Sequence, residues 1–176
     1  KVSILCLSPY EIILFIGTFI FMSAFCDGCW AINSNRLSQH IKNGDLDLYM
    51  TKPVSLQFMS TCRYFDLPLP LANLFSGITV IVIAWNKAEI PVNFINIAGY
   101  AVYFVGGMIV AYSILMLPGL LAFWITETNA VNSLVWGLWD MNNMPMAIYS
   151  KFISRIGIFA IPIFVITNFP CMFVLR

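Results

Sequence analysis

Few residues in this chain of 176 residues are equipped for chemistry. Cys26-Asp27-Gly28-Cys29 has the C-x-x-C spacing that can serve metal binding or dithiol redox work. The remaining cysteines, Cys6, Cys62 and Cys171, are scattered, and the one histidine is His40. No second pair therefore completes a four-ligand zinc site, and small apolar packing groups are the preferred reading of both thiols. The acids embedded in apolar sequence, Asp27, Glu127 and Asp140, are single, so an acid/base site acting on lipid would lack converging partners. No G-x-x-x-x-G-K-[ST] phosphate loop occurs. The acids closest in sequence, Asp45 and Asp47, sit in the most polar stretch.

The elements that must position these residues are read from what is missing. Hydrophobic residues make up 60% of the chain and charged residues 10%, against about 25% charged in an ordinary soluble domain. Mean hydropathy is +0.86. That much apolar surface cannot be hidden in water at this length, which excludes a soluble enzyme, and disorder needs the opposite composition. A net charge of +1 leaves no electrostatic case for a nucleic-acid partner. Residues 67–86 and 156–175 are free of charge, and so are the 37 residues 90–126. Such runs suffice to cross about 30 Å of hydrocarbon at 1.5 Å per residue. The fold class is all-α: a polytopic helical membrane protein forming one transmembrane domain over 1–176.

Five spans are expected, at about 10–32, 67–85, 94–124, 130–146 and 155–175. Asp140 and Pro145 interrupt the fourth. The third is too long for one straight crossing, and a kink is expected at Pro118-Gly119. A rival parsing turns the chain there and puts Glu127 inside the next helix; the polar run Thr126-Glu127-Thr128-Asn129 is the preferred break. The solid apolar runs lack the alternation of barrel strands, and the opening residues do not resemble a signal peptide. With segment 33–66 inside, five basic residues fall inside and four outside, a slight lean under the positive-inside rule.

Segment 33–66 is the one long polar connection, with seven charged residues and His40, read as a lone solvated histidine. Asn33–Asn43 reads as a short helix with Leu37 and Ile41 on one side. Asn43-Gly44 ends it, because both residues tolerate positive φ. Asp45-Leu46-Asp47-Leu48 alternates acid and apolar, and Lys52-Pro53 opens a second amphipathic helix. There Val54, Phe58, Cys62 and Phe65 share a face, opposite Ser55, Ser60, Arg63 and Tyr64. Two short helices flank a tight acidic turn beside the membrane.

The run Ile41-Lys42-Asn43-Gly44-Asp45-Leu46-Asp47-Leu48-Tyr49-Met50-Thr51-Lys52-Pro53 resembles the loop signature of one branch of ABC-2 type transporter permeases. Phe123-Trp124, Pro145 with Ile148-Tyr149, Ile161-Pro162 and Phe169-Pro170 follow in the order of that branch. The resemblance implies six spans, so the five seen here point to a piece lacking the first helix. It implies the permease subunit of an ATP-driven exporter, itself no enzyme and holding no cofactor, with ATP and magnesium on a separate ABC ATPase. That ATPase would dock on cytoplasmic loop 33–66, with Gly44, Asp45, Asp47, Lys52 and Pro53 as the coupling element and Arg63 and Asp66 at its rim. Asp45 and Asp47 would pair with basic residues of the ATPase, or Asp45 would only cap a turn. A second permease subunit, identical or related, is implied, as are membrane lipid around the spans, a bacterial cell membrane and a cytoplasmic C-terminus. The alternatives are an integral-membrane lipid-modifying enzyme and a non-transporting scaffold.

Asp27 sits at the interface, makes a bundle-facing hydrogen bond, or lines the translocation path, since a mid-bilayer carboxylate costs about 2.5–3.5 kcal/mol on insertion scales. Asp140, with Asn142, Asn143 and Pro145, marks a broken or re-entrant segment near the outer face, an ordinary loop or a gate on the path. The five tryptophans read as interface anchors, and Gly106-Gly107 as a point of close helix packing.

Overall fold

A computed structural model describes residues 8–51, 53–125 and 127–175, without the Tyr49 side chain, and all regular structure among them is helical. The first helix, α1 (Pro9–Phe25), starts on a reciprocal cap: the Glu11 N–H donates to Ser8 Oγ at 3.3 Å and the Ser8 N–H to Glu11 Oε2 at 2.8 Å. A π-helical turn, Cys26–Trp30, joins it without a break to α2 (Ala31–Asn43). The continuous rod of 35 residues is about 52 Å long at 1.5 Å per residue. It therefore crosses the hydrocarbon and carries its polar end well beyond it. The expected first span and loop helix are one rigid element.

The short helices α3 (Leu46–Met50) and α4 (Leu56–Thr61) lie in the loop, and α5 (Pro68–Lys87) returns through the membrane. Glycines let α1 and α5 close on each other. A side-chain carbon at Gly77 would stand 2.7 Å from the Phe21 nitrogen, and one at Gly28 would stand 2.9 Å from Pro70 Cγ. The next helix, α6 (Phe94–Leu121), runs parallel to α1 and α2: Tyr100 meets Thr18, Trp30 packs on Tyr112, and Ser38 reaches Pro118. It passes through Pro118-Gly119 as helix, and the chain turns only beyond Leu121, so the preferred parsing holds. Among the described residues three helices, 9–43, 68–87 and 94–121, are long and apolar enough to cross a membrane.

The last third corrects two expectations. In place of a span over 130–146 stands α7 (Asn129–Asp140), whose 12 residues reach about 18 Å. In place of a span over 155–175 stand α8 (Lys151–Phe159) and α9 (Val165–Val174), with the chain reversing between them. Phe164 packs on Tyr149 and Gly157, and α9 then runs antiparallel to α6, Ile166 against Gly107 and Phe173 against Gly99. Leu175 consequently shares a pocket with Glu11 and Phe15 at the end where α1 begins. As far as Leu175, α9 leads away from loop 33–66; the expected cytoplasmic C-terminus at Arg176 lies outside the described residues.

Polar bonds between elements hold this irregular part. Thr167 donates to Asn142 Oδ1 at 2.7 Å, the Met146 N–H to Asn168 Oδ1 at 2.8 Å, and the Cys171 thiol to Thr18 Oγ1 at 3.3 Å. Such backbone at membrane depth survives only where protein satisfies it. Asp140, exposed, follows Trp139, which packs on Phe19 ten residues into α1. It thus stands about 15 Å along the bundle from the start of α1, rather than at that end. Trp139 is 3% exposed and belongs to the core rather than to an interface belt. Of the glycine pair, Gly107 makes the close approach and Gly106 faces open space.

Candidate functional site

The loop that follows α2 is a clamped structure, and its clamps are backbone groups held by side chains. Gly44 closes α2 with φ 77°, in the left-handed region where a Cβ is disfavoured. The Gly44 N–H reaches the Ile41 carbonyl at 3.2 Å and the Asp45 N–H the His40 carbonyl at 3.0 Å, satisfying helix-end acceptors. The turn then redirects the chain into α3, whose Leu48 N–H bonds to the Asp45 carbonyl at 3.2 Å. Asp45 is half-buried, its carboxylate 3.4 Å from His40 Nδ1. His40 Nε2 is in turn 3.3 Å from the Tyr64 hydroxyl, so His40 bridges the two sides of the loop rather than standing alone in solvent.

Asp47 is exposed in the first turn of α3, and Pro53 is exposed beyond it. Lys52 lies outside the described residues. Pro53 does not open the second helix: Ser55 caps α4 by accepting from the Phe58 N–H at 3.3 Å. That hydroxyl satisfies an orphan donor, which proline at the first turn cannot do. α4 ends at Thr61, so Arg63 and Asp66 lie on non-helical chain rather than on a helix. The expected apolar face of Val54, Phe58 and Phe65 is exposed, while Leu56, Met59 and Ser60 turn toward the bundle.

The return of the loop to the membrane is fixed by a residue the sequence reading passed over. Asn33 is 1% exposed. Its amide donates to the Cys29 carbonyl at 2.6 Å and the Tyr64 carbonyl at 2.8 Å, and accepts from the Tyr64 N–H at 3.0 Å. One side chain thus replaces a strand's worth of pairing for Tyr64. Below it the π turn works in the same way. The Asp66 N–H donates to the Gly28 carbonyl at 3.0 Å, and the Cys29 thiol to the Thr61 carbonyl at 3.2 Å. The C-x-x-C thus staples the loop to the rod through its second cysteine. Asp27 sits on that same turn, half-exposed, and about 12 Å of helix height separates it from Asp140. Among the described residues no three His, Cys, Asp or Glu side chains converge.

On its other side α2 is tied to the remaining helices. Ser38 Oγ donates to the Pro118 carbonyl at 3.4 Å, and Asn132 Nδ2 to Asn35 Oδ1 at 3.0 Å. A polar cavity of about 320 Å³ lies between α2, the end of α6 and the start of α7, and includes Lys42 and Thr128 in its wall. Glu127 is exposed at the mouth of α7, as a helix-flanking residue would be. A push on the acidic turn would therefore reach α1 covalently and α6 and α7 through hydrogen bonds.

Asn33, His40 and Tyr64 were absent from the expected coupling set because their signal is tertiary. Asn33 and Tyr64 are 31 residues apart, and neither belongs to a recognisable local pattern. Gly44 and Ser55 had local signals, a turn residue after a helical run and a hydroxyl three residues before Phe58.

A family model described as ABC-2 family transporter protein matches residues 6–176. No curated protein and no solved structure matches the chain.

Proposed function

The chain belongs to the ABC-2 transporter family and is a multi-pass membrane permease of that kind, and from this premise we propose how it works. It is the transport subunit of an ATP-driven exporter in the cell membrane, and a separate ABC ATPase docks on loop 33–66 from the cytoplasm. Orientation rests on the family and on the loop's polarity. The count of basic residues no longer supports it once Leu175 stands at the far end.

The observation that carries the reading is the continuity of α1 with α2 through the π turn. A docked partner that moved the Gly44–Pro53 turn would move a membrane-spanning rod, as in rigid-body switching transitions. Asp47, exposed at the tip, is placed to meet a basic residue of the ATPase. Asp45, engaged with His40, fixes the turn's shape and is the weaker docking candidate. Pro53 and Arg63 border the same exposed surface. Lys52 belongs to the proposal by its sequence signature. Two permease subunits, identical or related, with two ATPases would complete the exporter, and ATP and magnesium would be bound on the ATPase. Asp27, on the π turn, and Asp140, beside the α8–α9 hairpin, are proposed to face the translocation path.

The test is purification of the full natural protein from its membranes with its bound partners. An ATPase should accompany it, and Asp47→Lys should lower recovery by about tenfold or more, since a like-charge contact at an interface costs several kcal/mol. Undiminished recovery with Asp47→Lys, or the absence of any ATPase, overturns the docking assignment. Asp27→Asn should alter vesicle transport while leaving that recovery unchanged; unaltered transport removes Asp27 from the path.

A further inference from the structure

Two cavities meet on the loop side of α6, and of the docking turn only Leu46 borders them. The larger, about 600 Å³, lies between α4 and the last three turns of α6. Its apolar wall is made by Leu56, Tyr112, Met116, Leu117, Leu120 and Phe123. The volume falls within the roughly 300–1,000 Å³ of small-molecule sites. Leu117, Leu120 and Phe123 are all 45–52% exposed, so the slot opens sideways, where lipid stands beside a spanning helix. Water has few partners against such a wall. Trp124, which follows directly, is 79% exposed, as suits the headgroup level.

The smaller cavity, about 10 Å³ and so the size of a water site, shares Leu37, Leu46, Leu56 and Ser60 with the slot and is bordered by Arg36, His40 and Tyr64. The Arg36 guanidinium lies 5.2 Å from the centre of the Tyr64 ring, with that of Arg63 at 5.1 Å. Among the described residues no carboxylate lines either cavity. An apolar slot that opens to the bilayer and adjoins a guanidinium calls for an occupant with a long apolar tail and an anionic head. We propose that the slot binds an anionic phospholipid of the leaflet bordering loop 33–66, with an acyl chain inside it and the phosphate beside it on the exposed Arg36. The bound lipid wedges α4 against α6, so the loop's position depends on membrane composition. The proposal goes beyond ATPase docking: Asp47 and Pro53, which would meet the ATPase, line neither cavity, although Leu46 beside Asp47 borders both.

The experiment uses the full protein in phosphatidylcholine vesicles containing phosphatidylglycerol with a photoactivatable group at its acyl end. A phosphatidylcholine probe with the same chain serves as comparison. The anionic probe should label 112–123 in preference to the lipid-exposed residues of α5. Ser113→Phe, which puts a ring into the slot, should weaken that label. Arg36→Gln, at an exposed side chain, should reduce the preference for the anionic probe about fivefold, the weight of one basic residue near an anionic surface. Even labelling of α5 and α6 would overturn the proposal. So would equal labelling by the two probes, or a cross-link between two copies of the chain in place of lipid, which would assign the slot to a protein contact.

Discussion

Replacing Asn33 with leucine is the sharpest test of how the loop is held. Leucine keeps an apolar volume in the hole and removes every hydrogen bond that Asn33 makes. The Tyr64 N–H and C=O, now held at 3.0 and 2.8 Å, would both lose their partner. A buried polar group left unsatisfied costs about 1–3 kcal/mol. Tyr64 is half-buried, so water can reach part of it and the lower bound applies to each group. The sum is about 2 kcal/mol, or about 30-fold in the local opening equilibrium. Amide hydrogen exchange of detergent-solubilised protein would read it: residues 61–67 should exchange about 30-fold faster, while 68–87 and 94–121 stay as in the parent. Asn33→Asp should act in the same direction, because it sets a carboxylate oxygen against the Tyr64 and Cys29 carbonyls. Exchange at 61–67 unchanged in Asn33→Leu would refute the clamp. An equal rise in every helix would also refute it, since the bonds would then support the whole fold and not the loop's return.

Two further outcomes follow from close contacts. Gly107→Ala should lower thermal stability in detergent by about 1–3 kcal/mol, since its Cβ would press on the Ile166 carbonyl at 2.5 Å, whereas Gly106→Ala, facing open space, should leave it unchanged or slightly raised. The Cys29 thiol reaches the Thr61 carbonyl at 3.2 Å, and Cys62 is the next residue, so copper phenanthroline as oxidant should join Cys29 and Cys62. Peptide mapping by mass spectrometry checks this, and a Cys26–Cys29 bridge instead would contradict the staple.

Much of the bundle is legible in the sequence because exclusion of charge from hydrocarbon is a local property. The run bounded by Asp66 and Lys87 becomes α5 and the one beginning after Pro91 becomes α6, each within a few residues of expectation. Gly44 is equally legible, because a left-handed helix end has a residue-level signature. The loop's amphipathic pattern misled at Pro53 and at Arg63, where capping by Ser55 and the return to Gly28 decide the ends of α4. The last third misled most. An apolar run from Ile156 to Leu175 has the length of a span, and nothing local to it reveals a reversal at Ile161-Pro162.

By itself the sequence determined that the chain is a helical membrane protein with one polar loop of family-specific grammar, since composition and short motifs do not depend on what packs where. Only the tertiary structure decided that α1 and α2 form one rod, that Asn33 holds Tyr64, and that α8 and α9 fold back as a hairpin. Each of these turns on which distant polar group satisfies a given one: Asn33 with Tyr64, Gly28 with Asp66, Asn142 with Thr167. In an apolar surrounding those pairings outweigh the length of an apolar run, and a linear sequence does not state them.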